Sequence, residues 1–126
     1  MLILDTHALL WYLSDSKEMG DDLKQQISDS DLVAVSIASF WEIAIKQSIG
    51  KLKLEESVSE IEHICYLKDI MVLPIKPSEL DVIKTLPNIH ADPFDRLIIS
   101  QTISESAILV TKDSNIRKYP VRTIWK

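Results

Sequence analysis

Short apolar runs alternate along the chain with longer segments in which apolar residues recur every three or four positions. Five runs have the length of a strand: residues 1–4, 32–35, 70–75, 107–111 and 121–125. Six segments between them have helical periodicity: residues 6–13, 18–28, 36–49, 57–69, 78–86 and 95–104. A short, continuously apolar run is typical of a strand buried on both faces of a parallel sheet. The alternation therefore predicts an α/β fold, with a mostly parallel sheet between helices on both faces.

Acidic residues follow the predicted strands or begin the predicted helices. Asp5 follows the first strand, Asp113 lies at the carboxyl end of the fourth, and Asp95 begins the last helix. Glu42 lies inside the third helix among apolar residues, where a carboxylate needs a partner because an unpaired buried charge is costly. A parallel sheet gathers the carboxyl ends of its strands at one edge, where α/β proteins bind their ligands. We therefore expect these four acids to converge at that edge.

Converging carboxylates indicate a divalent cation. Like charges held close together raise one another's pKa unless a positive charge lies among them. Mg²⁺ takes carboxylate, water and phosphate oxygens, and two such ions about 4 Å apart stabilise in-line displacement at phosphorus. Each acid also has an ordinary structural explanation. Asp5 and Asp95 suit helix caps, Asp113 suits a turn, and Glu42 has capping-box spacing from Ser39. Their joint placement favours the cation site.

Size and charge restrict the class of protein. The 126 residues match the usual size of one domain, so residues 1–126 are predicted to form a single domain. The formal net charge of −5 argues against a protein that holds nucleic acid by neutralising phosphates, but not against an enzyme that meets phosphates through cations. The single cysteine cannot form an internal disulfide, and no signal peptide or membrane span is evident. We expect a cytoplasmic protein without a membrane partner.

Aromatic and histidine side chains give weaker signals. Trp11, Trp41 and Phe94 are expected in the core rather than as surfaces on which nucleic-acid bases stack. The histidines lack the spacing of metal ligands. They are His7, His63 and His90. Only His7 is singled out among them, because it stands two positions after Asp5.

Four motifs resemble, in the same order, the acidic motifs of the PIN-domain ribonucleases. They are Leu4-Asp-Thr-His-Ala-Leu-Leu-Trp11, Ser39-Phe-Trp-Glu-Ile-Ala-Ile-Lys46, His90-Ala-Asp-Pro-Phe-Asp-Arg-Leu97 and Val110-Thr-Lys-Asp113. The resemblance covers the whole chain. Within the family, the motifs resemble more specifically the toxins of VapBC-type toxin–antitoxin pairs. The Asp-Thr-His and Asp-Pro-Phe-Asp-Arg stretches are its most specific parts.

The resemblance implies a three-layer α/β/α sandwich with a five-stranded parallel sheet, and a Mg²⁺- or Mn²⁺-dependent endoribonuclease. The matches to the family's metal-binding acids are Asp5, Glu42, Asp95 and Asp113. Asp92 matches a further acid of this subgroup, Thr6 begins a helix beside the first acid, and Arg96 follows the third, where it could contact substrate or pair with an acid. The resemblance also implies an RNA substrate, a homodimer, and a small antitoxin whose tail wraps the toxin and blocks the acidic site.

Two other functions stay open from the sequence. An Asp-nucleophile phosphatase would also place Asp5 after the first strand, but such enzymes need a second Asp two residues later, where this chain has His7. A non-catalytic α/β binding module would use the acids only to cap helices and turns. That module predicts that Mg²⁺ neither binds nor stabilises the fold.

Overall fold

Strands and helices alternate along the chain in the computed structural model, which describes residues 1–125. The strands are β1 (Leu2–Leu4), β2 (Val33–Ser36), β3 (Ile70–Leu73), β4 (Ile108–Val110) and β5 (Thr123–Ile124). The helices are α1 (Thr6–Leu13), α2 (Asp21–Asp29), α3 (Ile37–Ser48), α4 (Val58–Leu67), α5 (Pro77–Ile83) and α6 (Pro93–Ser104). A 3₁₀ turn over Ile116–Lys118, which the sequence pattern does not predict, precedes the last strand.

The five strands form one sheet in which every neighbouring pair is parallel, in the order β3-β2-β1-β4-β5. The central strand β1 pairs with β2 through Leu2 and Val33, and with β4 through Leu2 and Ile108. Crossover helices connect parallel strands, so the carboxyl ends of β1, β2 and β4 meet at one edge. The expected α/β fold with a five-stranded parallel sheet is confirmed.

Apolar side chains alternate between the two faces of the sheet and build a core on each. Leu2 and Leu4 of β1 pack with buried residues of α1, α2, α3 and α4, while Ile3 packs with Ile98 and Ile99 of α6. Successive strand residues point to opposite faces, which explains the division. The two cores fix α1 and α3 on one side of β1 and α6 on the other.

Two helices, α2 and α6, begin two or more residues from their predicted starts. Helix α2 begins at Asp21 rather than at residue 18, because Gly20 is extended and takes the N-cap position. Helix α6 begins at Pro93 rather than at residue 95, because the Asp92 side chain caps it and proline suits the first helical turn. Asp95 therefore lies in the first turn of α6.

The prediction that Trp41 lies in the core is wrong. Its side chain is 61% exposed, and its indole meets the Phe94 ring edge-on, with centroids 5.1 Å apart. Trp11 and Phe94 are half-buried, and Trp11 packs against the core. The apolar stripe of α3 is wide enough to cover the sheet and also continue round the helix, so periodicity alone could not tell which part faces inward.

Candidate active site

An acidic cleft of about 550 Å³ opens at the carboxyl edge of the sheet. The four predicted acids all line it: Asp5, Glu42, Asp95 and Asp113. Thr6 and Asp92 line it as well, as do two lysines and two histidines. The structure thus brings together side chains that are widely separated in the sequence, as the parallel topology requires.

Asp5 both caps a helix and faces the cleft. It follows β1, and its Oδ1 accepts a hydrogen bond from the Ala8 backbone N–H at 2.8 Å. The residue is only 6% exposed, and this burial raises the pKa of its carboxyl. Hydrogen bonds from Thr111 and Ala8 oppose that rise, while the nearby charge of Asp113 adds to it. The capping explanation for Asp5 is therefore correct, but it does not remove the carboxylate from the cleft.

Glu42 is buried and has the partners that its position in α3 requires. Its Oε1 accepts a hydrogen bond from the Thr6 hydroxyl at 2.6 Å, and its Oε2 is 2.7 Å from Lys46 Nζ. Thr6 Oγ1 also lies 2.9 Å from Ser39 Oγ. The helix is capped by Ser36, so Glu42 does not act as a cap partner of Ser39. These contacts hold the carboxylate in one orientation at the cleft wall.

Asp92 and Asp95 have different roles at the start of α6, where Asp92 is the N-cap and Asp95 lies in the first turn. Asp92 Oδ1 accepts backbone hydrogen bonds from Phe94 at 2.8 Å and from Asp95 at 3.2 Å. Burial raises the pKa of Asp95 to about 7, and the charges of Asp92, Glu42 and Asp5 push it in the same direction. His90 opposes the rise. The carboxylate of Asp95 is therefore disfavoured mainly by burial and further by the neighbouring acids, a combination that a bound cation would offset.

His90 is a cleft residue that the sequence reasoning did not find. Its Nε2 lies 3.0 Å from Asp95 Oδ2 and 3.6 Å from Asp113 Oδ2, while its Nδ1 faces the Asp92 backbone N–H at 3.4 Å. The Tyr119 hydroxyl accepts from the His90 N–H at 2.8 Å and so anchors the loop. The residue has no spacing signal because its partners are carboxylates. The only sequence clue is its place two positions before Asp92.

The donor set fits a divalent cation. One ligand atom from each of His90, Asp95 and Asp113 lies within 4.8 Å of the others. Asp113 is also held by the turn after β4, since its Oδ1 accepts from the Asn115 N–H at 2.8 Å. Carboxylate oxygens suit Mg²⁺ and Mn²⁺, and an imidazole nitrogen is compatible with a transition metal.

Arg96 points away from the acids. Its guanidinium donates to the backbone oxygens of Pro87 at 2.9 Å and Ile83 at 3.2 Å, and to the Tyr119 hydroxyl at 3.2 Å. Within residues 1–125 it forms no ion pair and does not line the cleft. Pairing of Arg96 with an acid, one of the two roles considered from the sequence, is therefore wrong. The arginine joins the loop after α5 to α6.

Comparison with known proteins identifies the family. The model of the PIN domain matches residues 2–121. The chain belongs to the PIN domain family. Ribonuclease VapC22 from Mycobacterium tuberculosis (strain ATCC 25618 / H37Rv) is 28% identical to this PIN domain over 130 residues, which cover 98% of each chain. The resemblance expected from the four motifs is thereby confirmed.

Solved structures have the same fold as this PIN domain. VapBC2 from Rickettsia felis, bound to a DNA fragment from their promoter, matches over the whole of both chains with a TM-score of 0.73 and 17% identity. FitAB bound to the IR36 DNA fragment matches 98% of this chain and 94% of its own, with a TM-score of 0.62 and 14% identity. A toxin–antitoxin complex from Klebsiella pneumoniae matches 90% of this chain and 88% of its own, with a TM-score of 0.56 and 13% identity. In the described part of this PIN domain, no helix has the length and apolar character needed to cross a membrane.

Proposed function

We propose that this PIN domain is a metal-dependent endoribonuclease and the toxin of a VapBC-type toxin–antitoxin pair. The observation that carries the proposal is the convergence of Asp5, Glu42, Asp95 and Asp113 on one cleft at the carboxyl edge of the sheet. The similarity to a VapC ribonuclease over nearly the whole chain supports the same reaction.

Mg²⁺ or Mn²⁺ is the proposed cofactor, with Asp5, Asp95, Asp113 and Glu42 as the residues that hold it. A bound cation would supply the Lewis acidity that lowers the pKa of the attacking water and offsets the charge on the phosphate. The raised pKa values of Asp5 and Asp95 support this assignment: burial is the main cause, neighbouring acids add to it, and a bound cation would stabilise the ionised carboxylates. Asp92, which caps α6 and also lines the cleft, is proposed as an outer-shell ligand that does not touch the cation directly.

The chain's own groups orient the reaction. Thr6 and Lys46 each hold one oxygen of Glu42, so its carboxylate cannot turn away from the cleft. Asp5 and Asp113 are fixed by backbone hydrogen bonds from Ala8 and Asn115. Side chains held in this way need little reorganisation on binding, which is the condition for electrostatic stabilisation of a transition state.

The proposed partners are an antitoxin and a second copy of the chain, in the cytoplasm. Three structural neighbours are named as VapBC2, FitAB and a toxin–antitoxin complex, which supports an antitoxin as partner. The homodimer follows from the resemblance and is supported by exposed apolar residues along α3. Those residues are Ile37, Trp41, Ile45 and Ile49.

The other two functions have less support. A phosphatase that uses Asp5 as nucleophile has no second acid two positions later, since His7 stands there. A binding module whose acids only cap helices leaves Glu42 unexplained, because Glu42 caps nothing and faces the cleft.

The proposal is tested by cleavage of a labelled structured RNA by the purified, antitoxin-free protein. The unsubstituted protein should cut with Mg²⁺ or Mn²⁺ and not with EDTA, and Asp5→Asn should lower the rate at least about a hundredfold. Asp81→Asn is a matched control, because Asp81 is an exposed aspartate of α5 outside the cleft. Cleavage that survives both EDTA and Asp5→Asn would disprove the mechanism. A phosphorylated Asp5 would establish the phosphatase instead.

A further inference from the structure

Two aromatic rings form a stack on the wall of the acidic cleft. The imidazole of His7 and the indole of Trp11 lie nearly parallel, at 18°, with centroids 5.4 Å apart. Both residues line the cleft, and both belong to α1, which begins directly after Asp5. The stack therefore stands beside the acid at the end of β1.

The inner ring of the stack is firmly held and the outer ring is open. Trp11 packs against the core, and its ring meets Trp125 edge-on at 5.6 Å. Lys112 Nζ lies 5.7 Å from the Trp11 ring centroid and 2.9 Å from Glu18. His7 is exposed, so its ring forms the outer layer. A rigid backing with one free flat face is what a stacked ligand requires.

A second histidine–aromatic stack shows that stacking alone does not make a site. His63 and Tyr66 of α4 lie at 16° with centroids 6.5 Å apart, but they line a different pocket with no carboxylate except Glu62. Pairs three or four residues apart on a helix commonly touch. The His7–Trp11 stack is distinguished by its position within two residues of Asp5, inside the acidic cleft.

The charge of the cleft decides which part of a nucleic acid this wall can hold. The acids repel phosphates except where a cation or one of the two lysines intervenes, whereas a flat aromatic face can stack on a base. Bases stack on aromatic side chains with little dependence on sequence, and each stack is worth roughly a factor of 10 in binding. Only an unpaired base exposes its face for such contact, because bases inside an RNA helix are stacked on their neighbours.

We propose that the His7–Trp11 stack is a binding platform for an unpaired RNA base next to the scissile phosphate. The inference rests on the proposed ribonuclease function and adds two substrate-positioning residues to it. His7 and Trp11 bind and position the substrate; they do not act on the reacting atoms.

The test is a double-mutant cycle between the protein and the RNA. Initial cleavage rates at low substrate concentration, with Mn²⁺, are measured on an unpaired oligonucleotide and on copies carrying one abasic nucleotide at each position around the cut. His7→Ala should lower kcat/KM about tenfold on the intact RNA, and have no effect when the stacked base is absent. His7→Phe keeps a flat aromatic ring on which a base can stack, so it should restore the rate.

Controls separate the inference from its alternatives. His63→Ala should cut as fast as the unsubstituted protein, and melting curves should show that every variant is folded. Annealing the oligonucleotide to its complement should abolish cleavage.

Equal loss from His7→Ala on intact and abasic RNA, or no loss, would overturn the platform while leaving the ribonuclease intact. An effect of His7→Ala on inhibition by the antitoxin but not on cleavage would assign this surface to the antitoxin. No cleavage by the unsubstituted protein would overturn both the platform and the proposed function.

Discussion

Several carboxylates of the cleft hold the backbone as well as facing the cavity. Asp5 accepts from Ala8, and Asp113 accepts from Asn115. An asparagine keeps a side-chain oxygen for such a bond while it removes the charge. Asp→Asn substitutions should therefore leave the local turns intact, and an effect on metal binding or cleavage can be attributed to the lost charge.

The burial of Asp95 beside other acids predicts a stability penalty in the metal-free protein. The pKa of Asp95 is raised from 3.8 to about 7, so between these values the folded state binds more protons than the unfolded chain. The free energy of unfolding therefore falls as pH rises through this range. Asp95→Asn removes the ionisation and should raise that free energy at pH 8, in EDTA, by roughly 1–2 kcal/mol.

Thermal and urea unfolding at pH 5 and pH 8 measure this effect. Asp81→Asn, an exposed change, should keep the pH slope of the unsubstituted protein. An Asp95→Asn variant with an unchanged slope would show that another group causes the dependence.

The three hydrogen bonds of Arg96 predict a structural role. Arg96→Met keeps part of the aliphatic stem but leaves the carbonyls of Ile83 and Pro87 without these donors. We expect the free energy of unfolding to fall by about 1–3 kcal/mol, with little change in Mn²⁺ affinity. Urea titration would measure the free energy of unfolding, and calorimetric titration would measure the Mn²⁺ affinity. A large loss of metal affinity at unchanged stability would instead connect Arg96 to the acids.

Most of the acidic site, but not all of it, was predictable at the level of single residues. Asp5, Asp95 and Asp113 stand next to strand ends or helix starts, and the parallel topology then brings them together. His90 was not predictable, because its approach to Asp95 depends on the path of a loop that Tyr119 anchors from 29 residues away. The residues around His90 in the sequence give no indication of this long-range hydrogen bond.

At the scale of elements, helix positions followed from periodicity, but the inward face of α3 did not. Ile43 is fully buried, whereas Trp41 on the same helix is 61% exposed and Ile49, the C-cap of α3, is 58% exposed. Apolar residues surround more of α3 than one contact with the sheet can cover. We therefore predict that a partner chain covers these exposed apolar side chains.

The exposed side of α3 is therefore the expected dimer surface. Replacing Trp41 by Gln together with Ile49 by Lys should convert a dimer to a monomer, while the melting temperature changes little because both side chains are exposed. Light scattering over a concentration series measures the mass. The control is Tyr66→Gln with Leu67→Lys, an exposed apolar pair on α4. Dissociation by the control pair instead would place the dimer surface on α4.

At the scale of the whole molecule, the net charge of −5 and the clustered acids predict that stability depends on cations. A ligand that binds only the folded state adds about 2.7 kcal/mol to the free energy of unfolding at 100 times its Kd. Mn²⁺ or Mg²⁺ should therefore raise the melting temperature, and EDTA should reverse the rise. The double variant Asp95→Asn with Asp113→Asn should respond far less. If NaCl at the same ionic strength raised the melting temperature equally, the effect would be charge screening rather than binding of the cation at the site.

The central place of β1 in the sheet has a consequence for protein synthesis. This strand is made before one of its two neighbours, β4, which begins only at Ile108. More than a hundred residues are added between Asp5 and Asp113, which takes roughly 5 to 20 seconds on the ribosome. A nascent chain therefore has no assembled cleft until Asp113 has been made. Translation that stops before Asp113 should release fragments that cannot cut RNA.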